Sequence, residues 1–247
     1  MFSPPLALAS LSGRSDADWA RGASEHAGAA FLGGIALDRP AREAAREMVD
    51  RDREEFLPPD PLAFIDRELT ALEDVPIQPG FNVRATTPEP IGEAAAICHD
   101  HGAILEVNAH CRQEELCAVG CGETLLRDAP RLCRYVETAA ETGATVSVKV
   151  RAEVPGVDLA DLARDLETAG ASMIHVDAMD TEDVIADVAD ASELFVIANN
   201  EVRGAETVRE YLEYGADAVS VGRPSTEPAA LARVRAAVDR EFGLEVE

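Results

Sequence analysis

The chain has 247 residues, 47% of them hydrophobic, which is enough for one large domain with a sizeable core. Asp and Glu number 47 against 22 Lys and Arg, so the formal net charge is −25 at pH 7. Such a polyanion repels phosphate backbones, which argues against nucleic-acid binding driven by overall charge, and no apolar run is long enough to span a membrane.

The acidic residues are spread along the whole chain and do not form a tail. Two interpretations are open: the surface serves a cationic partner, or it keeps the protein soluble in concentrated salt, where charge repulsion is screened. We favour salt adaptation, as for an acidic halophilic protein. The five cysteines and the absence of a secretory signal predict reduced thiols and a cytoplasmic location.

Apolar runs bounded by turn signals predict eight strands, at residues 6–11, 29–35, 75–83, 103–108, 144–150, 172–176, 194–198 and 216–221. Helical spacing between them predicts helices from Ser15 or Asp16 toward His26 and at 39–53, 62–72, 88–100, 128–142, 158–169, 181–189, 205–214 and 227–242. The strand at 75–83 is irregular, with an interruption at Pro79-Gly80.

Three helices end in a glycine, at Gly143, Gly170 and Gly215, which supplies a left-handed turn into the next strand. The strands are apolar with little alternation, as expected when both faces are buried. Eight strand–helix units in this length predict a single-domain (β/α)8 TIM barrel covering residues 1–247. A doubly wound open sheet is the alternative.

The segment 105–126 joins a strand to a helix-forming run through Asn108-Ala109-His110-Cys111. A strand that ends in polar and thiol groups places them where parallel α/β folds carry their chemistry. The spacing of Cys111, Cys117 and Cys121 matches no common zinc pattern and fits iron–sulfur ligand runs only loosely, so no metal site is predicted.

Polar residues follow most of the predicted strands, and they include all four asparagines of the chain. The set is Ser10, Asn82, Asn108, Lys149, His175, Asn199, Asn200 and Arg223. Lys149 is the strongest signal, because it is the only lysine and lies inside a strand predicted to be buried. Such a cation is suited to stabilising negative charge on a bound cofactor or intermediate.

The loops after strands seven and eight have the composition of a phosphate site. Gly204 and Gly222 allow backbone amides to approach an anion, and Arg223 adds a forked charge. In TIM barrels these two loops commonly bind phosphate.

The motifs N-x-x-C, G-x-G-x-x-L-L, V-x-V-K-V-R, a strand-end His, I-x-N-N and V-G-R follow one another between residues 81 and 223. This series resembles the flavin-binding barrel of tRNA-dihydrouridine synthases, in a compact archaeal-type form, and more distantly that of dihydroorotate dehydrogenases. The resemblance implies an FMN-dependent oxidoreductase acting on a pyrimidine C=C bond, with NAD(P)H as a candidate electron donor.

The resemblance also implies residue roles. Lys149 would lie near the flavin ring, Asn108 would face the substrate base, and Cys111 would protonate the pyrimidine carbon. The implied and candidate cofactor-binding set is Ser10, Asn82, Lys149, His175, Asn199, Asn200, Gly222 and Arg223.

The chain departs from the family pattern at several points. The usual N-x-G-C-P reads Asn108-Ala109-His110-Cys111-Arg112, His-Gly-Arg-Thr is reduced to His175-Val176-Asp177, and the N-terminal Pro-Met is replaced by Ala7-Leu8-Ala9-Ser10. No helical tRNA-binding domain is expected after the last helix. The substrate is therefore a tRNA uridine or a free base, and a phosphate-binding barrel without flavin chemistry is the alternative from another class.

Overall fold

In the computed structural model, which describes residues 1–244, eight parallel strands form a closed barrel in sequential order. The strands are β1 (Leu6–Leu8), β2 (Ala29–Ala36), β3 (Gln78–Arg84), β4 (Ile104–Asn108), β5 (Thr145–Arg151), β6 (Met173–Asp177), β7 (Phe195–Asn199) and β8 (Ala218–Val221). The helices are α1 (Ala17–Ala23), α2 (Arg39–Val49), α3 (Pro61–Thr70), α4 (Glu89–Asp100), α5 (Glu114–Ala118), α6 (Glu123–Leu126), α7 (Ala129–Ala140), α8 (Leu159–Thr168), α9 (Val184–Ala191), α10 (Ala205–Glu213) and α11 (Pro228–Phe242), with a 3-10 turn at Arg223–Thr226.

The first and last strands pair with each other and close the barrel. Leu6 lies opposite Val219 and Leu8 opposite Val221, both in parallel register. The predicted (β/α)8 barrel is therefore confirmed, and the open-sheet alternative is wrong because β1 and β8 have no free edge toward each other.

Acidic residues start five of the helices. The side-chain oxygens of Asp16, Asp38, Asp60, Asp128 and Asp158 accept first-turn backbone N–H groups of α1, α2, α3, α7 and α8. These N–H groups have no partner inside the helix, so a carboxylate satisfies them and complements the helix dipole. Part of the acidic composition thus has a local structural use.

The predicted glycine turns are present. Gly143, Gly170 and Gly215 have φ angles of 85°, 99° and 91°, a region that side-chain-bearing residues rarely adopt. Each follows a helix and turns the chain into β5, β6 or β8 within a few residues.

Some predicted boundaries are wrong. β1 ends at Leu8, three residues early, and α9 begins at Val184 instead of residue 181. β3 runs through Pro79 without a break, because its pairing with β4 starts only at Gly80. Gly80 is needed there, since an added Cβ would come within 2.7 Å of the Phe31 ring.

The helix-forming run after Cys111 is two short helices, α5 and α6, and not one. Gly120 and Gly122 separate them with φ angles of 87° and 57°. The segment returns to Cys111, because the backbone N–H of Glu123 donates to the Cys111 carbonyl at 2.8 Å.

The core consists of three parts. A large shell packs the outward side chains of the strands against the helices, and a smaller cluster fills the amino-terminal end of the barrel interior. In the third, Leu116 and Cys121 pack against Ala41, Ala44 and Met48 of α2. None of the helices within residues 1–244 combines the length and apolarity needed to cross a bilayer.

Candidate active site

The barrel interior changes from apolar to polar along its axis. Its amino-terminal layer is formed by Ala7, Ala29, Phe31, Ile104, Met173, Ile197 and Ala218. Strand side chains alternate between the two faces, so residues two positions further along also point inward. There the interior carries Asn82, Glu106, Ser147, His175 and Ser220, all at most 1% exposed.

A buried carboxylate, Glu106, lies at the centre of this polar layer. Its Oε1 accepts a hydrogen bond from Asn82 Nδ2 at 2.7 Å, and its Oε2 accepts from His175 Nδ1 at 2.7 Å. Ser147 Oγ lies 3.4 Å from Oε2. Burial by itself would raise the pKa of Glu106, but His175, Lys149 and Asn82 together lower it, so the group is ionised at neutral pH.

One chain of hydrogen bonds links Glu106 to the loop after β4. Asn108 Nδ2 donates to Asn82 Oδ1 at 2.9 Å, and Asn108 Oδ1 accepts from the backbone N–H of Cys111 at 3.1 Å. Each donor in this chain points toward the carboxylate. Asn108 therefore fixes the backbone at Cys111.

A second chain links Glu106 to β7 and β8. Because Nδ1 of His175 donates to a carboxylate, Nε2 is the acceptor, and Ser220 Oγ donates to it at 2.7 Å. Asn199 Nδ2 donates to the same Ser220 oxygen at 2.7 Å. Burial and the charge of Lys149 lower the pKa of His175, and together they outweigh Glu106, which raises it. The lowered pKa keeps the ring neutral.

Two cations of β5 enter the mouth without a partner. Lys149 and Arg151 are 2% and 8% exposed. Within the described residues, Arg151 Nε has no hydrogen-bond partner. The charges of Glu106 and Asp177 act on Lys149, but neither carboxylate forms a hydrogen bond with it. Burial lowers the pKa of Lys149, while these two carboxylates oppose the shift. A buried cation without a close counter-ion is costly to the fold and is suited to an anionic ligand.

Arg84, at the end of β3, is paired instead. Its guanidinium contacts Glu55 Oε2 at 2.7 Å and Ser12 Oγ at 2.6 Å, and both charged side chains are at most 4% exposed. Although burial opposes it, the charge of Glu55 raises the pKa of Arg84. These contacts tie the loop after β1 and the segment between α2 and α3 to β3.

Two adjoining cavities open at the carboxyl ends of the strands. The larger, of about 900 Å³, is the wide cavity; it is lined by Ser12, Arg84, His110, Cys111, Arg151, Asp177, Arg223 and neighbouring loop residues. The smaller, of about 420 Å³, is the β7–β8 cavity; it is lined by Lys149, Asn199, Asn200, Ser220, Gly222, Arg223 and others. They share five lining residues: Ser10, Leu11, His110, Asp177 and Arg223.

The side chains that line the two cavities carry a net positive charge, whereas the whole chain is strongly negative. Eight of the 22 Arg and Lys side chains line the two cavities, against five of the 47 acidic ones. The mouth is therefore locally positive on a protein of net charge −25. Such a site concentrates anionic ligands.

Left-handed backbone in side-chain-bearing residues is concentrated at the same mouth. Glu153, Met179, Asn200 and Glu201 have φ angles of 62°, 56°, 105° and 50°. Asn200 is held by a hydrogen bond from its Nδ2 to the carbonyl of Met179 at 2.6 Å. Backbone of this kind is sparsely populated and occurs preferentially at functional sites.

The predicted site residues all lie at one end of the barrel, but in two layers. Ser10, Lys149, Asn199, Asn200, Gly222 and Arg223 line the β7–β8 cavity, and Ser10, Cys111 and Arg223 line the wide cavity. Asn82, Asn108 and His175 are at most 2% exposed and lie beneath the cavities, within the hydrogen-bonded network.

Sequence reasoning missed Glu106, Ser220, Arg151 and Asp177. Each of them lies two positions after a residue of the same strand that points into the barrel. Because strand side chains alternate between the two faces, counting along each strand in steps of two would have identified them. Among the described residues, no group of three His, Cys, Asp or Glu side chains is placed to hold a metal ion.

One family of known proteins matches most of the chain. Residues 73–245 match the family described as dihydrouridine synthase. An uncharacterised protein of Methanocaldococcus jannaschii is 25% identical over 233 residues, which cover 88% of each protein.

Solved structures share the fold at low identity. Morphinone reductase in complex with tetrahydroNAD superposes with a TM-score of 0.71 at 13% identity, over 95% of this chain and 87% of that one. FabK from Thermotoga maritima gives a TM-score of 0.61 at 15% identity over 91% of this chain, which spans only 60% of the FabK chain. The match over residues 73–245, which is more than half of the chain, shows that the chain belongs to the dihydrouridine synthase family.

Proposed function

We propose that the protein binds FMN at the carboxyl ends of the strands and catalyses a redox reaction at a C=C bond of a pyrimidine ring. The observation that carries the proposal is Lys149, which is 2% exposed, lines the β7–β8 cavity and has no close counter-ion among the described residues. A cation held in this way complements an electron-rich ring or a developing negative charge. Family membership supports the same reaction class.

The donor set fits FMN. A Cβ at Gly222 would meet no atom within 4 Å, so the backbone beside Arg223 is open to a phosphate group. Asn199 and Lys149 lie in the same cavity and could bind polar atoms of the flavin ring. The volumes of the two cavities, about 420 and 900 Å³, fall in the range of cofactor and ligand sites.

When bound, reduced FMN supplies a hydride equivalent to an activated double bond. Cys111 lines the adjoining wide cavity, and its backbone N–H is held by Asn108, so its thiol can donate a proton to the substrate carbon. Lys149 stabilises negative charge during the transfer. NAD(P)H is the proposed electron donor, docking transiently at the mouth.

The first test is the visible absorption spectrum of the protein purified in molar salt, before and after addition of FMN. Flavin bands that co-elute with the protein are expected. Lys149→Gln should weaken FMN binding about tenfold or more, since it removes a charged contact. A colourless protein that ignores added FMN would overturn the proposal and favour a phosphate-binding barrel.

Turnover separates the two substrate classes. NADPH consumption is measured with unmodified tRNA transcript and with orotate. Cys111→Ala should bind FMN normally but lose about 100-fold or more in turnover, as expected when a general acid is removed. Cys133→Ala, a half-buried thiol on α7, is the matched control and should keep normal turnover. Full activity of Cys111→Ala would refute the proton-donor role.

A further inference from the structure

Trp19 connects the first helix of the barrel to the 3-10 turn that follows β8. Its indole Nε1 donates to Ser225 Oγ at 3.2 Å, across 206 positions of the chain. Ser225 is 4% exposed, and Trp19 is half-buried. Arg223, at the start of the same turn, lines both cavities. The contact between Trp19 and Ser225 therefore lies behind the residue that faces the ligand site.

Trp19 is itself held firmly in place. Its backbone N–H donates to Asp16 Oδ1 at 2.9 Å, and the N–H of Ala17 donates to Glu68 Oε2 of α3 at 2.9 Å. The indole ring packs against the large shell of the core. Because a tryptophan side chain has only two rotatable torsions, little conformational entropy is lost in holding it there. The indole N–H is thus a fixed donor.

Hydrogen bonds within the 3-10 turn link Ser225 to the residues at the cavity. The backbone N–H of Ser225 donates to the carbonyl of Gly222 at 2.8 Å, and Thr226 Oγ1 donates to the carbonyl of Arg223 at 3.1 Å. A restraint on the Ser225 hydroxyl is therefore transmitted to the backbone at Gly222 and Arg223, which is open to a phosphate group.

The loop after β7 is less suited to bind the same group. The backbone N–H groups of Arg203 and Gly204 already donate to Thr207 Oγ1, at 2.9 and 3.3 Å. An amide that has an acceptor gains less from an anion than one that has none. This difference favours the 3-10 turn as the place where the cofactor phosphate binds.

We infer that Trp19 is a positioning residue for the phosphate end of the cofactor. Its N–H holds Ser225, Ser225 holds the backbone of the 3-10 turn, and the turn and Arg223 bind the phosphate. The inference rests on the proposed FMN site and names a residue outside both cavities that sets the preference for FMN over riboflavin. Riboflavin has the same ring system and no phosphate, so it makes no use of the turn.

The test is equilibrium dialysis of the whole protein in molar salt against FMN and against riboflavin. Wild type should bind FMN about 100-fold or more tightly, because charged hydrogen bonds to the phosphate are absent with riboflavin. Trp19→Phe keeps an aromatic ring in the core and removes the N–H. It should lower the preference for FMN about fivefold, the contribution of a typical hydrogen bond, and leave riboflavin affinity unchanged.

Two further variants isolate the contact. Ser225→Ala removes the acceptor and should lower the preference by the same factor, and the double variant should lower it no further, since both substitutions break one interaction. Tyr214→Phe is the matched control, because Tyr214 is also a half-buried aromatic residue that packs against the large shell of the core. It should keep the wild-type preference.

Three outcomes would overturn the inference and leave the flavin proposal standing. Equal loss of FMN and riboflavin affinity in Trp19→Phe would mean that the contact serves only the fold. A wild-type preference in both variants would mean that the contact does not act on the phosphate, and equal affinity of wild type for the two flavins would place the phosphate elsewhere. If Trp19→Phe does not fold, Ser225→Ala decides. Wild type that binds neither flavin would refute the proposed function, and the inference with it.

Discussion

Two chains of hydrogen bonds converge on Glu106, one from the Cys111 loop and one from Asn199 on β7. All of their donors point toward the carboxylate, so one buried charge orients both sides of the mouth. The charge is stable there because it accepts several hydrogen bonds and lies near Lys149. At the scale of single residues, this network connects the fold to the site.

Removing the Glu106 carboxylate should strongly destabilise the fold. We expect Glu106→Ala to lower the free energy of unfolding by about 3 kcal/mol or more, since it leaves Asn82 and His175 without their buried acceptor. Glu106→Gln keeps the shape and should cost less. Urea denaturation followed by circular dichroism measures both.

Glu93→Ala, on the exposed face of α4, is the matched control and should change stability by no more than about 0.5 kcal/mol. If Glu106→Ala behaved like this control, the network would be of no importance to the fold.

His110 should make stability depend on pH. Burial lowers its pKa well below the ordinary 6.5, and the charge of Lys149 adds to the shift. Below pH 6.5 the unfolded chain therefore binds a proton at this residue that the folded chain does not, so stability falls as pH falls. The slope from this one group is at most about 1.4 kcal/mol per pH unit.

The measurement is urea denaturation of wild type and His110→Gln between pH 8 and pH 5. Above about pH 7.5 the free energies of unfolding of the two proteins should change with pH in parallel. Below that pH the wild type should lose more of its free energy of unfolding than His110→Gln. Parallel curves over the whole range would show that His110 titrates alike in both states.

At the scale of elements, the segment with α5 and α6 positions Cys111. A Cβ on Gly122 would lie 2.0 Å from the carbonyl oxygen of Cys111, and Gly122 itself has φ of 57°. The backbone of Cys111 is thus packed against a residue that has no side chain, between β4 and α6.

We expect Gly122→Ala to displace the Cys111 backbone and lower the melting temperature, because the clash adds to the left-handed strain of about 1–2 kcal/mol. The control is Gly102→Ala, where φ is 61° and no atom lies within 4 Å of the added Cβ. Thermal unfolding and the rate of Cys111 alkylation are compared. Equal effects of the two substitutions would show that strain alone, and not contact with Cys111, matters.

At the scale of the whole molecule, a net charge of −25 destabilises the compact state through self-repulsion. The cavities are an exception to the acidic surface, since basic side chains outnumber acidic ones there. Charge is therefore segregated, with an acidic exterior and a basic mouth.

Salt should stabilise the protein. We expect the urea midpoint to rise steadily between 0.1 M and 2 M KCl, because the Debye length shrinks from about 10 Å to below about 3 Å and screens the repulsion. A midpoint that does not change with KCl would contradict salt adaptation. Repeating the series with a non-ionic osmolyte separates screening from general exclusion effects.

The sequence by itself determined the barrel, because apolar strands alternate with helices eight times along the chain, and three of the helices end in a glycine that turns the chain into the next strand. It also indicated Lys149, Cys111 and the β7–β8 loops, since unusual residue types at strand ends are visible without coordinates. Only the tertiary structure decided which of these face a cavity and which lie beneath it. Asn82, Asn108 and His175 belong to a buried network whose centre, Glu106, carries no distinguishing mark in a chain of 47 acidic residues. Which side chains form hydrogen bonds with each other depends on how the barrel closes and how its strands are staggered. These features bring together residues more than sixty positions apart, such as Glu106 and His175.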